Sequence, residues 1–188
     1  MAARERLPPW HELVRLSNGR EVLIRPIRPQ DAEPLRAGFP LLQPDEVRQR
    51  FLHAVKELSA DTAQRLTRLD PRTEFALVAA EPLPPGEALV GAVARAAIDE
   101  TGRNAEFAIL VSHFIAGMGL GRRLMTRLVK WARGRKLDTL YGDVFEHNHA
   151  MLALARELGF EREHLPDTPG LVRVTLRLQA PKAGRRPE

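Results

Sequence analysis

Residues 105–134, "AEFAILVSHFIAGMGLGRRLMTRLVKWARG", join a strand-like run to a helix-like one through three glycines. "AEFAILV" (105–111) is an almost unbroken apolar run, as expected of a central strand covered on both faces. From residue 120 onward the period changes. Leu120, Leu124, Leu128 and Trp131 fall on one face of a helix, the basic residues lie mostly opposite, and Gly134 stands where a C-capping glycine belongs. Between strand and helix come Gly117, Gly119 and Gly121, although glycine loses more backbone freedom on folding than any other residue. Arg122 and Arg123 follow in the first helical turn, where the helix dipole disfavours cations. An anion explains both features. The first N–H groups of a helix have no partner inside it and point outward, and glycines let a bulky phosphate approach them. Phosphate charge would also answer Arg122 and Arg123. The stretch therefore reads as a diphosphate cradle.

Outward from it, the chain alternates elements without an internal repeat. "PPWHELVRLSNGREVLIRPIRP" is expected to form a hairpin with Asn18-Gly19 as a two-residue turn. Asp31 is the expected N-cap of a short helix. "PDEVRQRFLHAV" places Val47, Phe51 and Val55 on one helical face. Ser59 caps a further helix with Ala63, Leu66 and Leu69 inward. "TEFALVAAE", "ALVGAVARAAI" and "AEFAILV" read as an antiparallel meander. After the basic helix come the strand "LDTLYGDVF", a helix from Asn148 to Gly159, a loop "REHLPDTPG" and the closing strand "LVRVTLRL". The expected class is α/β with a mixed, largely antiparallel sheet. Its order is β-α-α-α-β-β-β-α-β-α-β, with a right-handed parallel crossover through the basic helix. Residues 1–20 are an N-terminal extension or hairpin strand, 21–178 the domain, and 179–188 a loose tail.

The 188 residues suit one domain. No apolar run approaches the ~18 residues of a membrane span, and the start lacks the apolar core of a secretory signal. Cysteine is absent, which rules out disulfides and thiolate metal sites and fits the cytoplasm. The window 107–137 contains no acidic residue but holds Arg122, Arg123, Arg127, Lys130, Arg133, Arg135 and Lys136, which points to an anionic partner. Nucleic acid is disfavoured: aromatics make up 5%, and there is no basic-aromatic interleaving of the kind that stacks bases.

Two familiar phosphate cradles fail here. A P-loop needs Lys-Ser/Thr after its last glycine, but Gly121 precedes Arg122 and Arg123. A dinucleotide turn anchored on Gly117 and Gly119 needs glycine at position 122, and Asp138 lies at the wrong end of the next strand. "AGMGLG" instead resembles the pyrophosphate loop of the GCN5-related N-acetyltransferases (GNAT), Q/R-x-x-G-x-G/A, with Gly119 and Gly121 at its glycines. "EHNHAMLALARELGF" resembles that family's second signature, an asparagine followed by a helix ending in Gly-Phe. "IRPIRPQDAEPL" and "AEFAILV" look most like the acetyltransferase domain of bacterial protein-lysine acetyltransferases of the Pat type. Ala116 and Met118 depart from the polar or basic residues usual in the loop.

The resemblance implies acetyl-CoA as co-substrate, no metal, and an amine acceptor, most naturally a protein lysine side chain. Coenzyme A would be bound by Ile109, Leu110, Val111, Ala116, Gly117, Met118, Gly119, Leu120, Gly121, Arg122 and Asn148. Attack needs a neutral amine, hence a base. The resemblance implies Glu106, the only acid of its strand, acting through a water and with its pKa raised by low-dielectric surroundings. A backbone N–H near Leu110 would stabilise the oxyanion. The helical tyrosine that often protonates the leaving thiolate is replaced by Ala155. Tyr141 is one strand earlier, and His147 and His149 are nearby in sequence, so the acid is unassigned. A small-molecule amine acetyltransferase and a non-catalytic acyl-CoA sensor are the alternative readings.

Overall fold

The computed structural model describes residues 7–51 and 56–179. Eight strands form one sheet: β1 (Glu12–Arg15), β2 (Glu21–Pro26), β3 (Glu74–Ala80), β4 (Val90–Ile98), β5 (Asn104–Val111), β6 (Thr139–Phe145), β7 (Glu161–His164) and β8 (Leu171–Arg177). Their order is β1-β2-β3-β4-β5-β6-β8-β7, and every neighbouring pair is antiparallel except β5 and β6. The helices are α1 (Ala32–Gly38), α2 (Pro44–Phe51), α3 (Ala60–Thr67), α4 (Leu120–Gly134) and α5 (His149–Glu157). The expected α/β class and mixed, largely antiparallel sheet are present. One strand is additional: β7 takes part of the segment expected to be a loop and pairs with β8. All four of its residues are exposed, so no apolar alternation announces it.

Two faces of the sheet are packed. Leu120, Leu124, Met125, Leu128 and Ala132 of α4 are fully buried against one face, with Ala105, Leu140 and Ala155 in the same cluster. Trp131 stacks on Phe75 of β3 at 5.4 Å. On the other face Ile27, Ala76, Val78 and Ala88 form a second cluster, and Phe39, Val47, Leu58 and Ala63 a third beneath α1–α3. The inward positions Ala63 and Leu66 are as the helical period predicts, while Leu69 packs from beyond the end of α3. Val55 and the tail from residue 180 lie outside the described residues.

Several local expectations change. The first hairpin turns through Ser17, Asn18 and Gly19, because Leu16 and Arg20 still pair. Only Gly19 has a positive φ, the geometry of a type I turn closed by a left-handed glycine. Asp31 makes no side-chain cap to α1. It is fully buried and takes two bonds from Arg25, at 2.8 and 2.7 Å, and one from the Arg28 N–H at 2.8 Å. Ser59 does cap α3, accepting from the Thr62 N–H at 3.1 Å. Gly134 is the last residue of α4 rather than its left-handed terminator, since Lys136 carries the positive φ of 57°.

β5 is central, between β4 and β6, yet it is not covered on both faces. Ala108, Ile109, Leu110 and Val111 are only partly buried. The cause is a divergence of the two parallel strands. β5 and β6 pair only at Asn104–Thr139, Ala105–Leu140 and Glu106–Tyr141. At the next level the Phe107 ring fills the space beside Gly142, where an added Cβ would come within 2.6 Å of ring atoms. Phe160 holds that ring edge-on at 5.7 Å. Beyond this wedge the strands separate, and the gap becomes a cleft.

Candidate active site

The cleft has a volume of about 270 Å³ and is lined by Glu106, Ile109, Leu110, Val111, Asn148 and Asp143, with Arg50 and Phe51 of α2 closing one side. Five residues picked from the sequence therefore meet in one place. The ladder with β4 shows which backbone groups are free. Ser112 N–H bonds Gly91 C=O, and Asp99 N–H bonds Asn104 C=O, so even-numbered residues of β5 turn their N–H and C=O toward β4. Leu110 is thus committed to the sheet. Phe107, Ile109 and Val111 point their backbone groups toward the separated β6. The donor expected near Leu110 moves to its neighbours Ile109 and Val111.

Glu106 sits at the last paired position before the gap. It makes no hydrogen bond or ion pair among the described residues. Partial desolvation raises its pKa above that of an ordinary glutamate, and the charge of Asp143 adds to this, while Arg173 and Arg50 oppose it. Asp143 is itself held by Arg173 at 2.9 and 3.2 Å. Arg173 also lies over the Tyr141 ring at 4.8 Å, and Tyr141 donates to Asp99 at 3.4 Å. Sequence reasoning misses Asp143, because the stretch 137–145 also holds Asp138 and neither acid stands alone there as Glu106 does in its strand.

Asn148 is the N-cap of α5; its Oδ1 accepts from the Met151 N–H at 3.2 Å, which leaves its amide NH₂ available beside the cleft. His147 and His149 are exposed and outside the cleft lining, and His147 stacks on Phe145 at 5.1 Å. Ala155 is buried in the core.

The glycine turn lies beyond the cleft lining. Gly117 and Gly119 have φ of 76° and 80°, and Gly119 is the N-cap of α4 with no side-chain cap. The first helical bond is Arg123 N–H to Gly119 C=O, so the amides of Leu120, Gly121 and Arg122 have no acceptor within the helix. An added Cβ at Gly117 or Gly119 would meet nothing within 4 Å, so space for a ligand lies directly over this backbone. Leu120 is buried, Ala116 is exposed and Met118 packs partly against the core. Gly121 closes against Leu154 of α5, at 3.4 Å from where its Cβ would be. The two arginines are not left for a phosphate to answer. Arg122 pairs with Glu157 of α5, and Arg123 pairs with Glu12 of β1 at 2.7 Å. Arg127 shares Glu12, and Arg135 donates to the carbonyls of Pro71 and Arg72. Much of the basic stripe thus serves the chain's own packing.

A diverging pair of parallel strands, an open helix N-terminus and a partly desolvated glutamate between them suit a thioester nucleotide and an amine. Residues 40–160 match the acetyltransferase (GNAT) family, and the chain belongs to it. It is 33% identical over 157 residues to acetyltransferase PA5475 of Pseudomonas aeruginosa, covering 84% of each chain. Among solved structures, the GNAT domain of S. lividans PAT superposes with a TM-score of 0.78 at 25% identity, over 92% of this chain and 100% of that one. A GNAT-family acetyltransferase from Streptococcus pneumoniae shares the fold, with a TM-score of 0.65 at 18% identity, over 84% and 99% of the two chains. The protein is an acetyltransferase of the GNAT family, whose members take the acetyl group from acetyl-CoA and pass it to an amine.

Proposed function

We propose that the protein acetylates a primary amine, most naturally a protein lysine side chain, with Glu106 as the general base. The observation that carries this reading is the place of Glu106: exposed on the cleft wall, without a hydrogen bond or ion pair among the described residues, and at the point where β5 and β6 part. A carboxylate with a raised pKa is a stronger base than an ordinary one and can take the ammonium proton directly or through one water. The Ile109 and Val111 amides are available to bond the pantetheine arm and to meet the negative charge that develops on the thioester oxygen. The Asn148 side chain supplies a further donor at the cleft. The turn Ala116–Gly117–Met118–Gly119–Leu120–Gly121–Arg122 serves as the pyrophosphate cradle through its open amides, with Arg122 held at its rim by Glu157. The lysine reading is supported by the Pat-like motifs and by the likeness to the S. lividans PAT domain. We assign catalysis to residues 21–178, with 1–20 as an N-terminal extension or hairpin strand and 179–188 as a tail, and place the activity in the cytoplasm.

The test is thiol release from acetyl-CoA in the presence of lysine peptides and small amines. Glu106→Gln is expected to lower kcat by about 10²–10⁴-fold with the KM for acetyl-CoA unchanged. Full turnover in that variant removes Glu106 from the base role. Binding of coenzyme A without turnover on any amine would favour the sensor reading.

A further inference from the structure

Next to the cleft is a second cavity of about 420 Å³, lined by Arg50, Arg65, Arg95, Glu57, Thr62 and Phe51 among others. Arg50 borders both spaces. Its guanidinium lies 4.9 Å from the Phe51 ring centre, and it makes no ion pair or hydrogen bond among the described residues. Arg95 projects from β4, its side chain only 18% exposed. One end pairs with Glu74, whose other oxygen accepts from the Asp70 N–H at 2.9 Å. The other end, Nη1, is buried with no hydrogen-bond partner. Arg65 donates to Thr62 at 3.3 Å, and Glu57 is the one acid lining the cavity among the described residues. Burial and the nearby charge of Arg95 push the Arg50 pKa down to about 10, with Glu106 acting in the opposite direction.

A buried guanidinium N–H without an acceptor is costly, and two arginines sharing a desolvated wall repel each other. One anion would satisfy both. Guanidinium donors suit a carboxylate because their fork can bond both oxygens. The register ties this place to the reacting centre. Arg95 is opposite Ala108, two residues along the same face of β5 from Glu106. Such diagonal neighbours are about 7–8 Å apart. An anion at Arg95 and an amine at Glu106 therefore fit within one short substrate.

We propose that Arg50 and Arg95 form a carboxylate subsite, so that the preferred acceptor is an amine carrying an acidic group close to the reacting nitrogen. The inference rests on the acetyl-transfer reading of the adjoining cleft. The carboxylate has two possible sources: the acid of a free amino acid, or an aspartate or glutamate flanking a lysine in a peptide.

The experiment compares matched acceptors at saturating acetyl-CoA: free amino acids against their carboxamides, and lysine peptides flanked by glutamate against the same peptides with glutamine. Expected is a kcat/KM preference for the acid of roughly tenfold to a hundredfold in one pair, which also identifies the source. Arg50→Gln should abolish the preference, whatever it does to the overall rate through its place in the cleft wall. Arg50 makes no ion pair or hydrogen bond among the described residues and touches only the Phe51 ring, so this variant should fold. Equal rates for acid and amide, or a preference that survives Arg50→Gln, overturn the subsite. If no amine is acetylated, the transfer reading itself fails. Calorimetric titration of the same acid and amide probes into the coenzyme A-saturated protein then decides the subsite alone: acid-selective binding lost in Arg50→Gln supports it, and no selectivity overturns it.

Discussion

Glu106 and Asp31 are both acids read from the sequence, and their surroundings give them opposite tasks. Glu106 keeps its lone pairs free at the edge of the cleft, with a pKa raised by desolvation and by Asp143. A base acts only when deprotonated, so kcat/KM should rise with pH through an apparent pKa above that of an ordinary glutamate. A pH profile of Glu106→Gln should lack that limb; an unchanged profile would remove the assignment. Asp31 has the opposite fate, fully buried in a two-bond pair with Arg25. Removing one partner of such a pair leaves an uncompensated buried charge. Asp31→Ala should therefore cost about 3–5 kcal/mol in urea unfolding. Replacing both residues with apolar ones should recover part of the loss. An Asp before a helical run reads as a cap in any sequence, because the cation that claims it lies on a different element.

At the scale of elements, the fit of β5 to β6 makes the cleft. Gly142 admits the Phe107 ring, and a side chain there would force the ring aside. Gly142→Val should cost about 1–3 kcal/mol from overpacking and weaken coenzyme A binding more than Gly134→Ala, which has open space around it. The glycine turn makes a separate demand. Gly119 holds a left-handed φ directly before α4, and a β-branched residue is strained there. Gly119→Val should destabilise by roughly 1–2 kcal/mol and raise the KM for acetyl-CoA by more than the KM for the amine. Equal effects on both would argue against the cradle. The turn and the amphipathic face of α4 were legible because each has a local period or a local backbone requirement. β7 was not legible, since its four residues are all exposed and it becomes a strand only through the ladder offered by β8.

At the scale of the whole molecule, the two ends of the site are fixed by long-range contacts. Glu12 of β1 holds Arg123 and Arg127 of α4, and Glu157 of α5 holds Arg122. Glu46 of α2 accepts from the backbone and ring nitrogens of His113, just beyond β5. A ligand bound across α4 and the β5–β6 gap should therefore stabilise the domain as a unit. Coenzyme A at 100 times its Kd should add about 2.7 kcal/mol, read as a rise in Tm. No rise at millimolar ligand would count against both the cradle and the cleft.

Local patterns in the sequence were enough for the α/β class, the element order apart from β7, the buried faces of α3 and α4, and the family, because apolar periods and glycine positions act over a few residues. They also marked Glu106, a charge placed where its strand is otherwise apolar. Tertiary structure decided the rest: that the arginines of α4 answer carboxylates of β1 and α5, that Ile109 and Val111 carry the open amides while Leu110 does not, and that Arg50 and Arg95 face a common cavity. Each of these depends on register or on pairing between elements far apart in the chain, which no local pattern encodes.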